Sequence, residues 1–326
     1  MLCFRLMLLV SVGLSVLPAR GDDPHSLSFE AAGDRLFDFN TGAVKGTLRG
    51  NGQYQGISSL IDVATGKELT RSAGIFSYYR ALSTDHRWGG DARDWPMTAV
   101  LLPDGAVQID WPAHEEHPFE MTATYRWASP TTLDLETVVR PQQAMSRFEI
   151  FLSSYFDLNF KAIAYAQPTR PAEGPAEFIM ADVNPLVRGS YLAFPTSSQT
   201  AQMFFDRRWA PENGLVPWAV PRVLGAPLAI KRDVESDITF VLMSRPEDCF
   251  ALSMSYNMEP PLDGIANHGS VYMSLLGKDI EAGESARAHV RMVVERDLSN
   301  ERALEYYEQY AAQQHRVDPV GGSSHR

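Results

Sequence analysis

One short stretch of the sequence, residues 84–96, concentrates side chains of the kinds that bind sugars. It holds two Trp, one His, two Arg and three Asp around a Gly-Gly pair that lets the backbone bend. Trp rings stack on sugar rings, while Arg and Asp hydrogen-bond to hydroxyls or carboxylates. We interpret the stretch as a saccharide-binding loop; the alternative is a solvated loop held by Trp packing and Asp–Arg pairs. The predicted substrate-binding residues here are Arg87, Trp88, Asp91 and Trp95, with His86 as an acid/base group.

Residues 205–213, together with Trp218, form a second cluster of aromatic and charged residues. An Arg beside a Trp suits an acidic sugar, although support of a Pro-containing loop explains the same composition. The predicted substrate-binding residues here are Asp206, Arg207, Trp209 and Trp218. His268, in a polar loop ahead of a strand, is the second predicted acid/base group. Polar interruptions between strands collect at one sheet face, so we expect both clusters and His268 to line a common cleft.

A pair of histidines, His114 and His117, flanks two Glu in a segment bounded by Pro112 and Pro118. The two Pro argue against the helix that would present both rings on one face to a metal ion. We interpret the segment as an exposed polar hairpin tip. The alternative, a pair of ligands converging with His86, is less favoured, and we predict no metal and no cofactor.

Alternation of apolar and polar residues dominates the rest of the chain, as in residues 119–127 and 132–139. The triplet Pro103-Asp104-Gly105 joins two such segments by a turn. One helix is predicted over residues 299–314, with Ser299 as its N-cap and an apolar face. The sequence therefore predicts an all-β protein with a short C-terminal helix.

The N-terminus predicts export. Arg5 precedes an apolar run at residues 6–17, and residues 19–21 provide small side chains at the −3 and −1 positions of a cleavage site. The run is shorter than the roughly 20 residues of a membrane span, so none is predicted. Cleavage would remove Arg5 and Arg20 but no acid, changing the net charge from −11 to about −13, which argues against nucleic acid as a partner. A mature chain with only Cys249 forms no internal disulfide, which favours a bacterial periplasmic or extracellular location.

Three segments, 56–69, 125–136 and 270–285, resemble the galactose-mutarotase-like superfamily, which includes the aldose epimerases. The first reads as a strand followed by Asp-x-x-Thr-Gly-x-Glu-Leu, and the others resemble a central strand pair and a late hairpin. The resemblance implies a large antiparallel β-supersandwich. Asn267-His268 is similar to the family's Asn-His pair, but the Gly-Ser that follows departs from the family's Phe-Asn and no Glu lies in its base motif. Mutarotase activity is therefore not carried over.

The resulting prediction is a signal peptide at residues 1–21, a mutarotase-like domain at 22–316 and a disordered polar tail at 317–326. The domain is expected to bind a saccharide or acidic polysaccharide across a concave sheet face. If it is an enzyme, the expected chemistry is proton transfer at a sugar carbon, by epimerisation or β-elimination. The alternatives are a non-catalytic glycan-binding module and an envelope scaffold protein. The sequence leaves the oligomeric state open.

Overall fold

The structure is a computed structural model that describes residues 26–71, 73–170, 174–181, 191–209, 218–255 and 269–313. The predicted signal peptide, the predicted polar tail and His268 lie outside these residues. The described chain folds mainly into antiparallel strands, as the alternation predicted, and three sheets contain all of its strands.

A small N-terminal sheet is a meander of four strands. Its strands, in order, are β1 (Ser26–Gly33), β2 (Leu36–Asn40), β3 (Val44–Arg49) and β4 (Gly56–Asp62). The turn between Ala64 and Lys67 after β4 is tied to Asp62, whose carboxylate accepts a bond from the Thr65 amide at 2.9 Å. The segment chosen from the family resemblance therefore forms a strand and a turn, as expected.

The back sheet has nine strands, all paired antiparallel. Across the sheet they are β13 (Glu177–Met180), β12 (Phe160–Ala166), β16 (Leu224–Asp233), β17 (Ile238–Ser244), β20 (Ala286–Arg296), β10 (Thr132–Pro141), β9 (Phe119–Ser129), β8 (Val107–Trp111) and β7 (Thr98–Leu101). The turn predicted at Gly105 joins β7 to β8, and Gly105 has a φ of +82° there. The long alternating strands were thus predicted correctly.

The front sheet has seven strands and packs against the back sheet. Across the sheet they are β15 (Trp218–Ala219), β14 (Tyr191–Pro195), β18 (Cys249–Ser255), β19 (Ser270–Ile280), β11 (Met145–Tyr155), β5 (Ser77–Ser83) and β6 (His86–Trp88). Among the described strands, β14 and β15 are the one pair that runs parallel. Two sheets packed face to face give the predicted all-β sandwich.

The core lies between the front and back sheets and follows from the alternation of each strand. Leu133 and Leu135 of β10 face Ile150 and Leu152 of β11 across the same buried cluster. The hydroxyl of Tyr78 on β5 lies 2.7 Å from that of Thr137 on β10, so a buried polar pair also joins the two sheets. Alternate residues of the front sheet therefore point away from this core, onto its other face.

The chain ends its described part with helix α2 (Asn300–Ala312), which confirms the predicted helix to within two residues. Ser299 caps it, with its hydroxyl accepting a bond from the Arg302 amide at 3.2 Å. Ala303 and Tyr310 bury the apolar side of the helix on the outer face of the back sheet. A shorter helix, α1 (Ser198–Ala201), is followed by a 3-10 turn at Gln202–Phe204. No helix in the described ranges is both long and apolar enough to cross a membrane.

Candidate functional site

The face of the front sheet that points away from the back sheet carries a cluster of aromatic rings, which we call the aromatic face. Phe151 of β11 and Tyr272 of β19 stack with ring centroids 4.8 Å apart. Trp209 meets Phe151 edge-on at 4.7 Å, and Trp218 lies 5.1 Å from Trp209. The remaining rings of the aromatic face are Tyr79, Tyr155 and Tyr191.

Small polar residues lie between these rings because the strand register places serines beside them. Ser253, Tyr272, Ser153 and Ser77 are successive cross-strand neighbours over β18, β19, β11 and β5. The buried hydroxyls of Ser77 and Ser253 have no hydrogen-bond partner within the part of the chain that the structure describes. The same holds for the indole N–H groups of the two tryptophans of the aromatic face. Buried polar groups are normally paired, so these four atoms are exceptions among the described residues.

Two arginines and one carboxylate border the rings. The guanidinium of Arg80 lies 3.9 Å from the ring centroid of Tyr79 and donates to its hydroxyl at 3.1 Å. Arg93 donates through Nε to Asp91 at 2.8 Å, and Arg80 lies 3.8 Å from the same carboxylate. Burial lowers the pKa of Arg80, and the like charges of Arg87 and Arg93 act in the same direction. One carboxylate thus serves two guanidinium groups, which leaves positive charge beside the aromatic face.

The stretch predicted to be a binding loop contains a short strand. β6 pairs with β5 through Ser83 and His86, Leu82 and Arg87, and Ala81 and Trp88, around a turn in which Asp85 has a φ of +56°. Alternation then places Arg87 on the side of the aromatic face, because its neighbour Leu82 belongs to that cluster. His86 and Trp88 point to the opposite side, where their rings lie 4.1 Å apart.

The second predicted cluster reaches the same place. The amide of Asp85 donates to the carbonyl of Asp206 at 3.1 Å, and Arg207 Nε lies 3.3 Å from the Asp85 carboxylate. Trp209 and Trp218 are part of the aromatic face itself. The structure thus brings Arg87, Asp91, Arg207, Trp209 and Trp218 to or beside the aromatic face, but it does not bring His86 and Trp88 there.

A buried ion cluster beneath this junction was not foreseen. Arg208 is fully buried; it donates through Nη1 to Glu149 of β11 at 2.7 Å and through Nη2 to Asp206 at 2.8 Å. Burial raises the pKa of Glu149, and the positive charge of Arg208 opposes that shift. The carboxylate of Asp206, predicted to bind substrate, is thus engaged in fixing its own segment to the sheet.

Trp95 and the two histidines of the predicted hairpin tip lie elsewhere. Trp95 is 7% exposed, and its ring stacks on His117 at 4.1 Å. His114, Glu115 and Glu116 are exposed at a hairpin tip, as expected, but His117 is 1% exposed and its ring packs against Trp95 and Phe119. Among the described residues, no three His, Cys, Asp or Glu side chains are placed to hold a metal ion.

Several residues of the site were missed because they lie within strands and not in loops. Sequence reasoning singled out none of these strand residues, which are Tyr79, Arg80, Phe151, Tyr155 and Tyr272. The alternation of β11 could have identified the residues of that strand, because every second residue from Glu149 to Tyr155 points away from the core.

Comparison with known proteins gives the fold. No protein-family model matches the chain, and the search of curated proteins gave no match. Among solved structures, Slr1438 from Synechocystis sp. PCC 6803 matches with a TM-score of 0.51 at 13% identity, over 84% of this chain and 100% of that one. A putative aldose 1-epimerase from Escherichia coli K12 matches with a TM-score of 0.47 at 13% identity, over 80% of this chain and 99% of that one. A mutant of the heparan sulfate lyase HepC from Pedobacter heparinus matches with a TM-score of 0.46 at 6% identity, over 82% of this chain and 36% of that one.

The chain shares its fold with Slr1438, which it matches over 84% of its own length. At these identities the likeness concerns the fold, and the site of this chain must be argued from its own residues.

Proposed function

We propose that this chain is an exported carbohydrate-active protein that binds an acidic saccharide on the aromatic face of the front sheet. The observation that carries the proposal is the aromatic face itself. On one side of the front sheet it combines a pair of arginines with the partly buried rings of Tyr79, Tyr191, Trp209 and Trp218, whereas Phe151, Tyr155 and Tyr272 are at most 8% exposed. Export is supported by the sequence of residues 1–21, and a mature N-terminus near Asp22, read by mass spectrometry of protein from the native host, tests it.

Saccharides suit such a surface because each sugar ring has an apolar face of C–H groups and a rim of hydroxyls. Tyr and Trp offer rings for the first and polar tips for the second. Trp209 and Trp218 are only partly buried, so ring surface stays available for stacking, whereas their indole N–H groups are buried.

An acidic saccharide is favoured by the charges beside the rings. The sequence carries a net charge of −11, and most anions are repelled by such a surface. Arg80 and Arg93 nevertheless share one carboxylate, and Arg87 is close enough to influence Arg80. A guanidinium group binds a carboxylate or sulfate through two parallel hydrogen bonds, so local positive charge in an acidic protein favours an anionic group on the ligand.

Whether binding is followed by a reaction is a separate part of the proposal. The expected reactions, epimerisation and β-elimination, both begin when a base removes a proton from a sugar carbon. Burial raises the pKa of Tyr155 and that of Tyr272, which makes both hydroxyls weaker proton donors at neutral pH. His86 remains the predicted base from the sequence, although its ring points to the other side of β6.

Calorimetric titration with a panel of neutral and acidic oligosaccharides tests the binding proposal. Replacing Trp218 by Ala removes one stacking surface and should weaken binding about 2- to 12-fold. Replacing Arg80 by Ala should weaken acidic ligands more than neutral ones. The matched controls are Tyr306→Ala and Arg302→Ala on helix α2, behind the back sheet, which should leave binding unchanged.

The same preparations separate the rival functions. Turnover that His86→Ala abolishes while binding persists indicates an enzyme with His86 as its acid/base group. Binding without turnover at any pH indicates a glycan-binding module. If no saccharide of the panel binds to the wild-type protein, the proposed function is wrong and the scaffold alternative is favoured.

A further inference from the structure

Phe205 projects from the loop that follows α1 and is 60% exposed, although the preceding Met203 and Phe204 are buried. A single exposed apolar side chain is ordinary in a folded protein and marks nothing by itself. Its surroundings decide whether Phe205 belongs to a surface that binds a ligand.

The residues around Phe205 are charged and held in place. Arg207, whose side chain is 76% exposed, has a φ of +72°, which is unfavourable for a residue with a Cβ atom. The bond between the Asp85 amide and the Asp206 carbonyl ties this segment to the β5–β6 turn. Arg87 follows that turn and is also exposed. The exposed ring of Phe205 thus lies in the same segment as the exposed Arg207, and this segment is hydrogen-bonded to the turn that precedes the exposed Arg87.

The base of the segment is rigid on both sides of Phe205. Before it, Phe204 packs in a buried cluster with Phe250. After it, Arg208 is buried between Asp206 and Glu149. A buried ion pair is a poor source of stability, because desolvation offsets most of its attraction, but it fixes geometry well. The structure therefore anchors the backbone on both sides of the exposed Phe205 and Arg207.

The surface formed by Phe205, Arg207 and Arg87 adjoins the aromatic face. Trp209 comes two residues after Arg207 and packs on Phe151. On the other side, Arg87 lies opposite Leu82, which belongs to the aromatic cluster. A ligand that occupies the aromatic face and extends past Trp209 would meet Phe205, Arg207 and Arg87 next.

We propose that Phe205, Arg207 and Arg87 form an outer subsite for further sugar residues, so that the ligand is an acidic oligosaccharide or polysaccharide and not a monosaccharide. The inference rests on the proposed function, in which the aromatic face binds the first sugar. Phe205 provides the ring for stacking, and the two arginines provide charge for the acidic groups that repeat along the chain.

The test compares chain lengths, using galacturonic acid, oligogalacturonates of increasing length and heparin-derived oligosaccharides as probes in calorimetric titrations. Affinity should rise from the monomer to the longer chains. Phe205→Ala should weaken the binding of long chains roughly 2- to 12-fold and leave the binding of the monomer unchanged. Arg207→Gln should likewise reduce the rise in affinity that accompanies increasing chain length. Val234→Ala, at an exposed apolar position in the turn between β16 and β17, is the matched control and should change nothing.

The outcomes separate this inference from the proposed function. Binding that does not strengthen with chain length, or that Phe205→Ala weakens equally for monomer and chain, overturns the outer subsite and leaves the inner site standing. Failure of the wild-type protein to bind any probe overturns both. Phe205 is exposed and its replacement removes no buried contact, so the variant should fold normally, which circular dichroism would verify.

Discussion

Replacing Arg208 by Met should strongly destabilise the fold, because Glu149 would keep its buried charge and lose its partner. The side chains of Arg208 and Glu149 are 0% and 1% exposed, and Nη1 and Oε2 are 2.7 Å apart. Removing one member of such a pair costs roughly 3–5 kcal/mol. A typical domain has only about 5–15 kcal/mol of stability, so the loss would be a large part of it. Urea denaturation at pH 7.5, followed by circular dichroism, measures it.

Two controls make this prediction specific. The double variant Arg208→Met/Glu149→Leu removes the fully buried carboxylate as well, leaves only the 11% exposed Asp206 without its partner, and should recover part of the lost stability. Arg302→Met, which removes the exposed pair with Glu305 on α2, should cause no measurable loss. A single variant Arg208→Met that unfolds within about 1 kcal/mol of the wild-type protein would refute the reasoning.

The pH dependence gives a second check on the same pair. Burial raises the pKa of Glu149, and Arg208 opposes this rise, so the pKa should increase further in Arg208→Met. A carboxyl group whose pKa is higher in the folded state stabilises the fold when protonated and loses that contribution as the pH rises. The deficit of Arg208→Met relative to the double variant should therefore narrow as the pH falls towards about 4.3, the unfolded pKa of Glu. A constant deficit would contradict the assignment.

Three further predictions concern other parts of the fold. Burial lowers the pKa of His117 in the folded protein. The neutral ring therefore contributes fully to stability above about pH 6.5, and this contribution is lost as the pH falls. The urea midpoints at pH 5.5 and 7.5 should differ less for His117→Phe than for the wild-type protein. Gly105→Ala should cost at least about 1–2 kcal/mol, since φ is +82° and the added Cβ would lie 2.2 Å from Ser28 Oγ, whereas Gly66→Ala meets no neighbour and should cost less in the same denaturation assay. Ser299→Ala should cost about 0.5–2 kcal/mol through loss of the helix cap, and a smaller loss of thermal stability would contradict the capping bond.

Sequence reasoning reached the fold because alternation is a local property. The pattern of residues 132–139 states which side chains face the core, and β10 forms as that pattern requires. The helix was equally readable, since Ser299 and the apolar spacing that follows it mark its beginning. The meeting of the segments around Asp85 and Asp206 was also predicted, because polar interruptions tend to collect at one face.

The details of the site were less readable because they depend on which strands become neighbours. Trp95 and Trp218 look alike in sequence, yet Trp95 packs against His117 in the core and Trp218 belongs to the aromatic face. Tyr272 became important only when β19 paired with β11 and brought it onto Phe151. The pairing of Arg208 with Glu149 spans 59 residues, a separation at which no local pattern indicates a partner.

The most direct test of saccharide binding on the aromatic face is a crystal structure of the protein with an acidic oligosaccharide from the binding panel. The account predicts a sugar ring stacked on Trp218 or Trp209, with a carboxylate or sulfate within hydrogen-bond reach of Arg80. A sugar bound on the back sheet or at the N-terminal sheet, with the aromatic face free of ligand, would contradict it.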